Sequence, residues 1–195
     1  MGIPDRILLK PGKLTDEEFQ IFFLMLIGAG NESTRSVTAH GMRLLMEHPE
    51  QLQMLVDNPA LIPDACEEIL RYNPAFVCMR RTVMQDVEVA GVQMKEGDKL
   101  LLHWHLINQD DKVFDDPMKF DITRAQRMPT LAREHRSFGV GTHFCIGAQL
   151  ARLEAKVFIE ELLATFSSIE SGSTPPDYAN SIFVRRLEKL SVVLL

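Results

Sequence analysis

The sequence predicts a mainly α-helical fold with a small β portion, and three observations carry that prediction. Apolar residues run from the Thr15 cap to about Met46, enough for one helix of about thirty residues that must cross most of the molecule. A second segment, AQLARLEAKVFIEELLATF, starts at Ala148 and is amphipathic at helical spacing. Between the two, VEVAGVQM and KLLLHWHLIN read as short strands.

Each element has a local cause. TDEE is a capping box, with Thr15 at the cap and Glu18 three residues on, and its acids suit the positive end of the helix dipole. His48-Pro49 stops the helix, because proline pushes the residue before it out of the helical region. The middle of this helix is unusual. Gly28 and Gly30 flank Ala29, and each glycine costs about 1 kcal/mol relative to alanine. Either another helix packs closely there, or a flat ligand lies against the face. PEQLQMLVDN makes a short helix with Pro49 at its first position, and PDACEEILRY makes another, ended by Asn73-Pro74. Gly91 and Glu96-Gly97 supply turns between the strands. Irregular chain follows through DDKVFDDPMKF to Ser137, and the tail reads as loop at GSTPPDY before a last strand in SVVLL.

The 195 residues suffice for one domain with a sizeable core, and 46% hydrophobic with 25% charged residues is ordinary for a globular protein. A net charge of −6 argues against nucleic acid as a partner. Cys66, Cys78 and Cys145 are an odd, widely spaced set, which suggests a reducing compartment and no disulfide framework. MGIPDRILLKPGK lacks the apolar core of a signal peptide, and IFFLMLIGAG is too short to cross a bilayer. A cytoplasmic chain with no membrane segment is expected.

The chemistry concentrates in FGVGTHFCIG, Phe138 to Gly147, where three glycines surround one cysteine. A buried apolar role is the ordinary fate of such a thiol. Three uses of a thiolate beside a helix start are open to it. A nucleophile elbow needs glycine two residues before and two after, and His143 occupies the first place. A dinucleotide loop needs glycine where Phe144 stands. Axial ligation of heme iron meets neither objection, since glycines let the backbone lie close to the macrocycle.

FGVGTHFCIGAQLAR resembles the cysteine-ligand loop and following helix of the cytochrome P-450 heme-thiolate monooxygenases, a highly specific signature. Four further segments resemble that family in its own order. AGNEST, from Ala29, is similar to the oxygen-activation segment of the central helix. EILR, from Glu68, is similar to the Glu-x-x-Arg pair. RTVMQD, from Arg81, is similar to the strand whose arginine meets a heme propionate. FDITR, ending at Arg124, is similar to the segment completing a Glu–Arg–Arg cluster.

The resemblance implies a role for each matching residue. Cys145 would ligate the iron of heme b (iron protoporphyrin IX), with Phe138, Gly139 and Gly147 shaping its loop and Arg81 and His143 donating to the propionates. Glu32, Ser33 and Thr34 would relay protons. Most family members carry threonine where Ser33 stands, so a working relay that leaks peroxide is expected. Glu68, Arg71 and Arg124 would form a buried cluster that fixes the loop before Cys145; by spacing alone, Glu68 and Arg71 read as an exposed i,i+3 pair. Met25, Ala29, Gly30, Val77 and Phe183 would line a pocket for an apolar small molecule. Electrons from NAD(P)H would arrive through an external redox partner, and Arg133, Arg136, Arg152 and Lys156 form a basic patch suited to an acidic, ferredoxin-like donor.

Other features read blandly or pull away from the family. His103 and His105 share one strand face, as a zinc pair would, but no third ligand stands nearby. The chain resembles only the C-terminal half of its relatives, residues 1-195 being the heme-ligand half with the N-terminal half absent. A partial gene is the favoured account, over a truncated form or an unusually short protein. The expected activity is insertion of one oxygen atom from O2 into an apolar substrate such as a terpene, steroid or acyl chain. The rivals are an inert fragment that needs the N-terminal half as a partner, a peroxide-using heme-thiolate enzyme and, remotely, a cysteine hydrolase.

Overall fold

Helix α1 (Asp16–Glu47) begins where its cap dictates. The Thr15 side chain accepts from Glu18 N at 3.2 Å, while the Glu18 carboxylate accepts from Thr15 N at 2.9 Å. The computed structural model describes residues 14–195, so the reading of MGIPDRILLKPGK lies outside the described residues. With 32 residues, α1 is about 48 Å long. Its two halves differ. Ser36, Val37, His40, Gly41, Leu44 and Leu45 form a buried stripe at helical spacing. From Phe19 to Ile27 the large apolar side chains are mostly exposed, Leu24 as much as 70%.

Around the buried half the chain wraps helices α2 (Pro49–Asp57) and α3 (Ile62–Tyr72), with a 3₁₀ turn at Pro59–Leu61 between them. A Cβ on Gly41 would stand 3.2 Å from Ile69 Cδ1, so α1 and α3 pack at close range. Leu44, Leu55, Ile62, Ile69, Phe120, Ile122 and Ile159 join these helices to one core. The Gln51 side chain donates to Phe120 O at 2.6 Å and accepts from Ile122 N at 2.8 Å, pinning the later chain to α2.

Among the described residues, the β portion is four two-stranded antiparallel pairs. Strand β1 (Cys78–Thr82) pairs with β4 (Lys99–His103), placing Arg81 opposite Leu100. Strands β2 (Val87–Val89) and β3 (Val92–Met94) form a hairpin around Ala90 and Gly91, both at positive φ. After three short helices, α4 (Trp104–Ile107), α5 (Arg124–Arg127) and α6 (Leu131–Glu134), comes the long α7 (Ala148–Thr165). The tail pairs β5 (Ile169–Ser171) with β8 (Val192–Leu194) and β6 (Asp177–Tyr178) with β7 (Leu187–Lys189). The tail is thus more ordered than the loop expected at GSTPPDY, since Asp177 and Tyr178 pair with β7.

KLLLHWHLIN is only half strand. Burial of Trp104 turns the chain into α4, and His103 Nδ1 accepts from Leu106 N at 3.3 Å to cap it. His103 and His105 therefore do not share a strand face; their rings are 6.5 Å apart. Among the described residues no three His, Cys, Asp or Glu side chains converge on a metal position, and no helix is long and apolar enough to cross a membrane.

His40 supplies a pH-dependent contribution to stability. It is fully buried, its Nε2 donates to Arg185 O at 2.9 Å, and its Nδ1 accepts from Arg43 Nε at 3.4 Å. Burial first, then the Arg43 charge, push its pKa down from 6.5 to about 4. The unfolded chain therefore takes up a proton that the native chain refuses, and stability falls as pH drops from 6.5 toward 4. Between pH 6.5 and 5 the loss from this residue is about 2 kcal/mol. Urea unfolding at those two pH values checks this, with His40→Gln expected to shrink the difference by that amount.

Candidate active site

A carboxylate with no access to water organises the centre of the chain. Glu68 is 0% exposed on α3, and its Oε2 accepts from Arg71 Nε at 2.7 Å and from Arg124 Nε at 3.0 Å. One carboxylate cannot neutralise two guanidiniums, so backbone carbonyls share the rest. Arg71 donates to Asn108 O and Pro117 O at 2.8 Å and to Lys119 O at 3.2 Å. Arg124 donates to Asp115 O, Asp116 O and Lys119 O. The irregular chain between 108 and 124 is held by these bonds, not by regular secondary structure.

From there hydrogen bonds lead to the cysteine loop. Asn108 Nδ2 donates to Ser137 Oγ at 2.9 Å, its Oδ1 accepts from Arg136 N at 2.7 Å, and Ser137 Oγ donates to Leu70 O at 2.7 Å. A second anchor flanks the first. Glu67 accepts from His135 Nε2 at 2.8 Å and from Arg152 Nε at 2.5 Å. Burial pushes the Glu67 carboxyl up, but hydrogen bonds from His135 and Arg152 outweigh it and hold the pKa below the usual value. Arg152 also lies over the Phe138 ring, 4.6 Å from its centroid.

The loop itself is closed by Cys145 N, which donates to Phe138 O at 2.9 Å. Gly139 and Gly141 adopt positive φ of 73° and 70°, a conformation that side chains with a Cβ rarely adopt. A Cβ on Gly147 would stand 3.9 Å from Cys145 Sγ. Cys145 is exposed, as are Phe144 and Ile146 beside it. His143 lies in a short 3₁₀ turn and is exposed; Arg81, exposed on β1, donates to Arg80 O.

On α1, Glu32, Ser33 and Thr34 are half-buried. Glu32 lies 3.3 Å from Arg35 Nη2 and 3.6 Å from Arg186 Nε. Ser33 Oγ donates to Ala29 O at 2.6 Å. Cβ atoms built on Gly28 and Gly30 would meet nothing within 4 Å, so close helix packing by the described residues does not explain these glycines. Val77 and Phe183 are brought together, Val77 N donating to Phe183 O at 2.9 Å. Met25, Ala29 and Gly30 lie on the exposed half of α1.

The family model for cytochrome P450 matches residues 5–193. The chain belongs to the cytochrome P450 family. It is 41% identical over 156 residues to a putative cytochrome P450 126 of Mycobacterium tuberculosis, covering 80% of this chain and 36% of that relative. It is 39% identical over 165 residues to the methyl-branched lipid omega-hydroxylase of the same organism, covering 84% and 37%. The solved structure of P450BioI in complex with hexadec-9Z-enoic acid ligated acyl carrier protein superposes with a TM-score of 0.88 at 36% identity, covering 97% of this chain and 48% of that one. The chain spans less than half the length of these relatives.

P450 membership implies heme, and the residues present fit it. Four of iron's positions are filled by the macrocycle, so the protein need offer one soft donor, and an exposed thiol in a glycine-lined loop is such a donor. The basic patch is smaller than the sequence suggests. Arg152 is committed to Glu67 and Phe138, Lys156 lies 3.1 Å from Glu160, and Arg136 lies 3.7 Å from Glu134. That corrects the placing of Arg152 on a docking surface. Sequence reasoning missed Glu67, His135, Asn108 and Ser137, whose partners are 28 to 85 residues away and leave no local pattern. Glu68→Ala should cost about 3–5 kcal/mol by leaving two buried guanidiniums uncompensated. Lys156→Ala, which breaks an exposed i,i+4 pair, should stay within about 0.5 kcal/mol. Urea unfolding of both variants measures the contrast.

Proposed function

We propose that this chain is the heme-ligand, C-terminal half of a P450 monooxygenase that inserts one oxygen atom from O2 into an apolar substrate. The observation that carries the reading is Cys145, exposed in a glycine loop that its own N–H closes onto Phe138 O, in a chain of P450 type throughout residues 5–193. Heme b bound through a thiolate would supply the activation of O2. Cys145 would hold the iron, with Gly147 and the start of α7 next to it in the chain, and Arg81 and His143 would hold the propionates.

Glu32, Ser33 and Thr34 carry protons to the oxygen site. Glu32 stays anchored between Arg35 and Arg186, and the Ser33 hydroxyl must turn from Ala29 O to donate elsewhere. Met25, Ala29, Gly30, Val77 and Phe183 line the substrate side. An acyl chain, a terpene or a steroid suits such a lining, and relatives named for a lipid hydroxylase and an acyl carrier protein complex are in line with the first of these. Electrons come from NAD(P)H through an external, ferredoxin-like donor docking chiefly at the exposed Arg133. The exposed apolar half of α1 favours a second reading, in which the 195 residues alone bind heme poorly and need the remainder of the fold.

The carbon-monoxide difference spectrum of the reduced, heme-reconstituted chain is the test. A thiolate-type red-shifted Soret band that Cys145→Ala abolishes supports the reading; a band unchanged in Cys145→Ala refutes Cys145 as ligand. In the full-length protein, Ser33→Ala should raise peroxide release per O2 consumed several-fold, because a positioned proton donor is lost. Oxygen-electrode and product assays give that ratio.

A further inference from the structure

Helix α1 grips the loop before β7 at the Arg185 carbonyl, next to the Glu32–Arg186 ion pair. The Arg185 carbonyl accepts from Ser36 Oγ at 2.5 Å and from His40 Nε2 at 2.9 Å. Both donors are buried, and they stand four residues apart on one helix. On its other side the same segment is stitched to the chain before β1. Arg185 N donates to Ala75 O at 2.9 Å, and Phe183 O accepts from Val77 N at 2.9 Å. Ser181 Oγ closes the turn by accepting from Phe183 N and Val184 N at 3.2 Å.

This anchored segment ends in two exposed apolar side chains, Ile182 at 84% and Phe183 at 51% exposure. The Phe183 ring leans on Phe76, with centroids 4.9 Å apart. One hydrogen bond would satisfy the Arg185 carbonyl. Two, from donors on a rigid helix, fix its direction as well as its distance. The donors are themselves held: His40 Nδ1 accepts from Arg43 Nε, and its ring stacks on Tyr178 at 6.0 Å. So much order behind an exposed tip is unusual for a surface turn, where side chains are ordinarily free.

We propose that Ser36 and His40 are positioning residues for the substrate: by clamping the Arg185 carbonyl they set how far Ile182 and Phe183 project, and so select the length of the apolar molecule accepted. This rests on the heme monooxygenase reading above, which puts Phe183 and Val77 on the substrate side.

The test uses the full-length, heme-loaded protein and two probes, imidazole and 1-dodecylimidazole, titrated optically. Imidazole reads the iron alone; the dodecyl chain also reads the apolar tip. Ser36→Ala should change the ratio of the two dissociation constants by about tenfold, the scale of a small misfit in an apolar site. Imidazole affinity and the carbon-monoxide band should stay as in the parent, and Ser36→Thr, which keeps the hydroxyl, should restore the ratio. An unchanged ratio, or equal shifts for both probes, overturns the proposal. Should Ser36→Ala not fold, Phe183→Ala decides: a ratio that it leaves unmoved means the tip does not meet the ligand. Absence of the thiolate band in the parent would instead refute the monooxygenase reading, and this proposal with it.

Discussion

Everything around the cysteine loop depends on the burial of one carboxylate, Glu68, between two guanidiniums. Taking such charges out of water is costly, and the arrangement holds only because each nitrogen and oxygen finds a partner. Arg71 and Arg124 have more donors than Glu68 can accept, and the surplus is aimed at carbonyls of the chain between 108 and 119. A stretch with little regular structure thereby gains a defined path. Charge, together with the burial of Phe114, Phe120 and Ile122, gives this part of the molecule its shape.

That path ends at the site. Asn108 accepts Arg136 N and meets Ser137, and the next residue is Phe138, whose carbonyl receives Cys145 N. Glu67 secures the other flank through His135 and Arg152. The thiol is thus held by two neighbouring carboxylates on α3, although neither touches it. The loop around Phe183 is held differently. It is clamped to the buried half of α1 through Arg185, while the other half of α1 presents its apolar residues outward. An ordered cysteine loop and an open apolar face occur together in a chain that spans less than half the length of the P450s it matches.

Much was legible in the sequence. Thr15 and Glu18 announce the start of α1, His48-Pro49 its end, and the glycines around Cys145 the turn before α7, because caps, prolines and positive-φ positions act over a few residues. The strand through KLLLHWHLIN holds only as far as His103, where the chain turns into α4 with Trp104 buried. Glu68 and Arg71 look on spacing alone like an exposed pair; only the resemblance pointed to a buried group with Arg124.

By itself, then, the sequence determined what local chemistry can decide: helix ends, turns, a thiol set among glycines, and membership in a family through that loop. The tertiary structure decided which charges meet. Arg152 turned from a surface cation into the partner of Glu67, and Ser36 and His40 became a clamp on a carbonyl 149 and 145 residues away. Such pairings are set by how helices pack, because desolvation makes each buried polar group take whichever partner the packed core brings within reach.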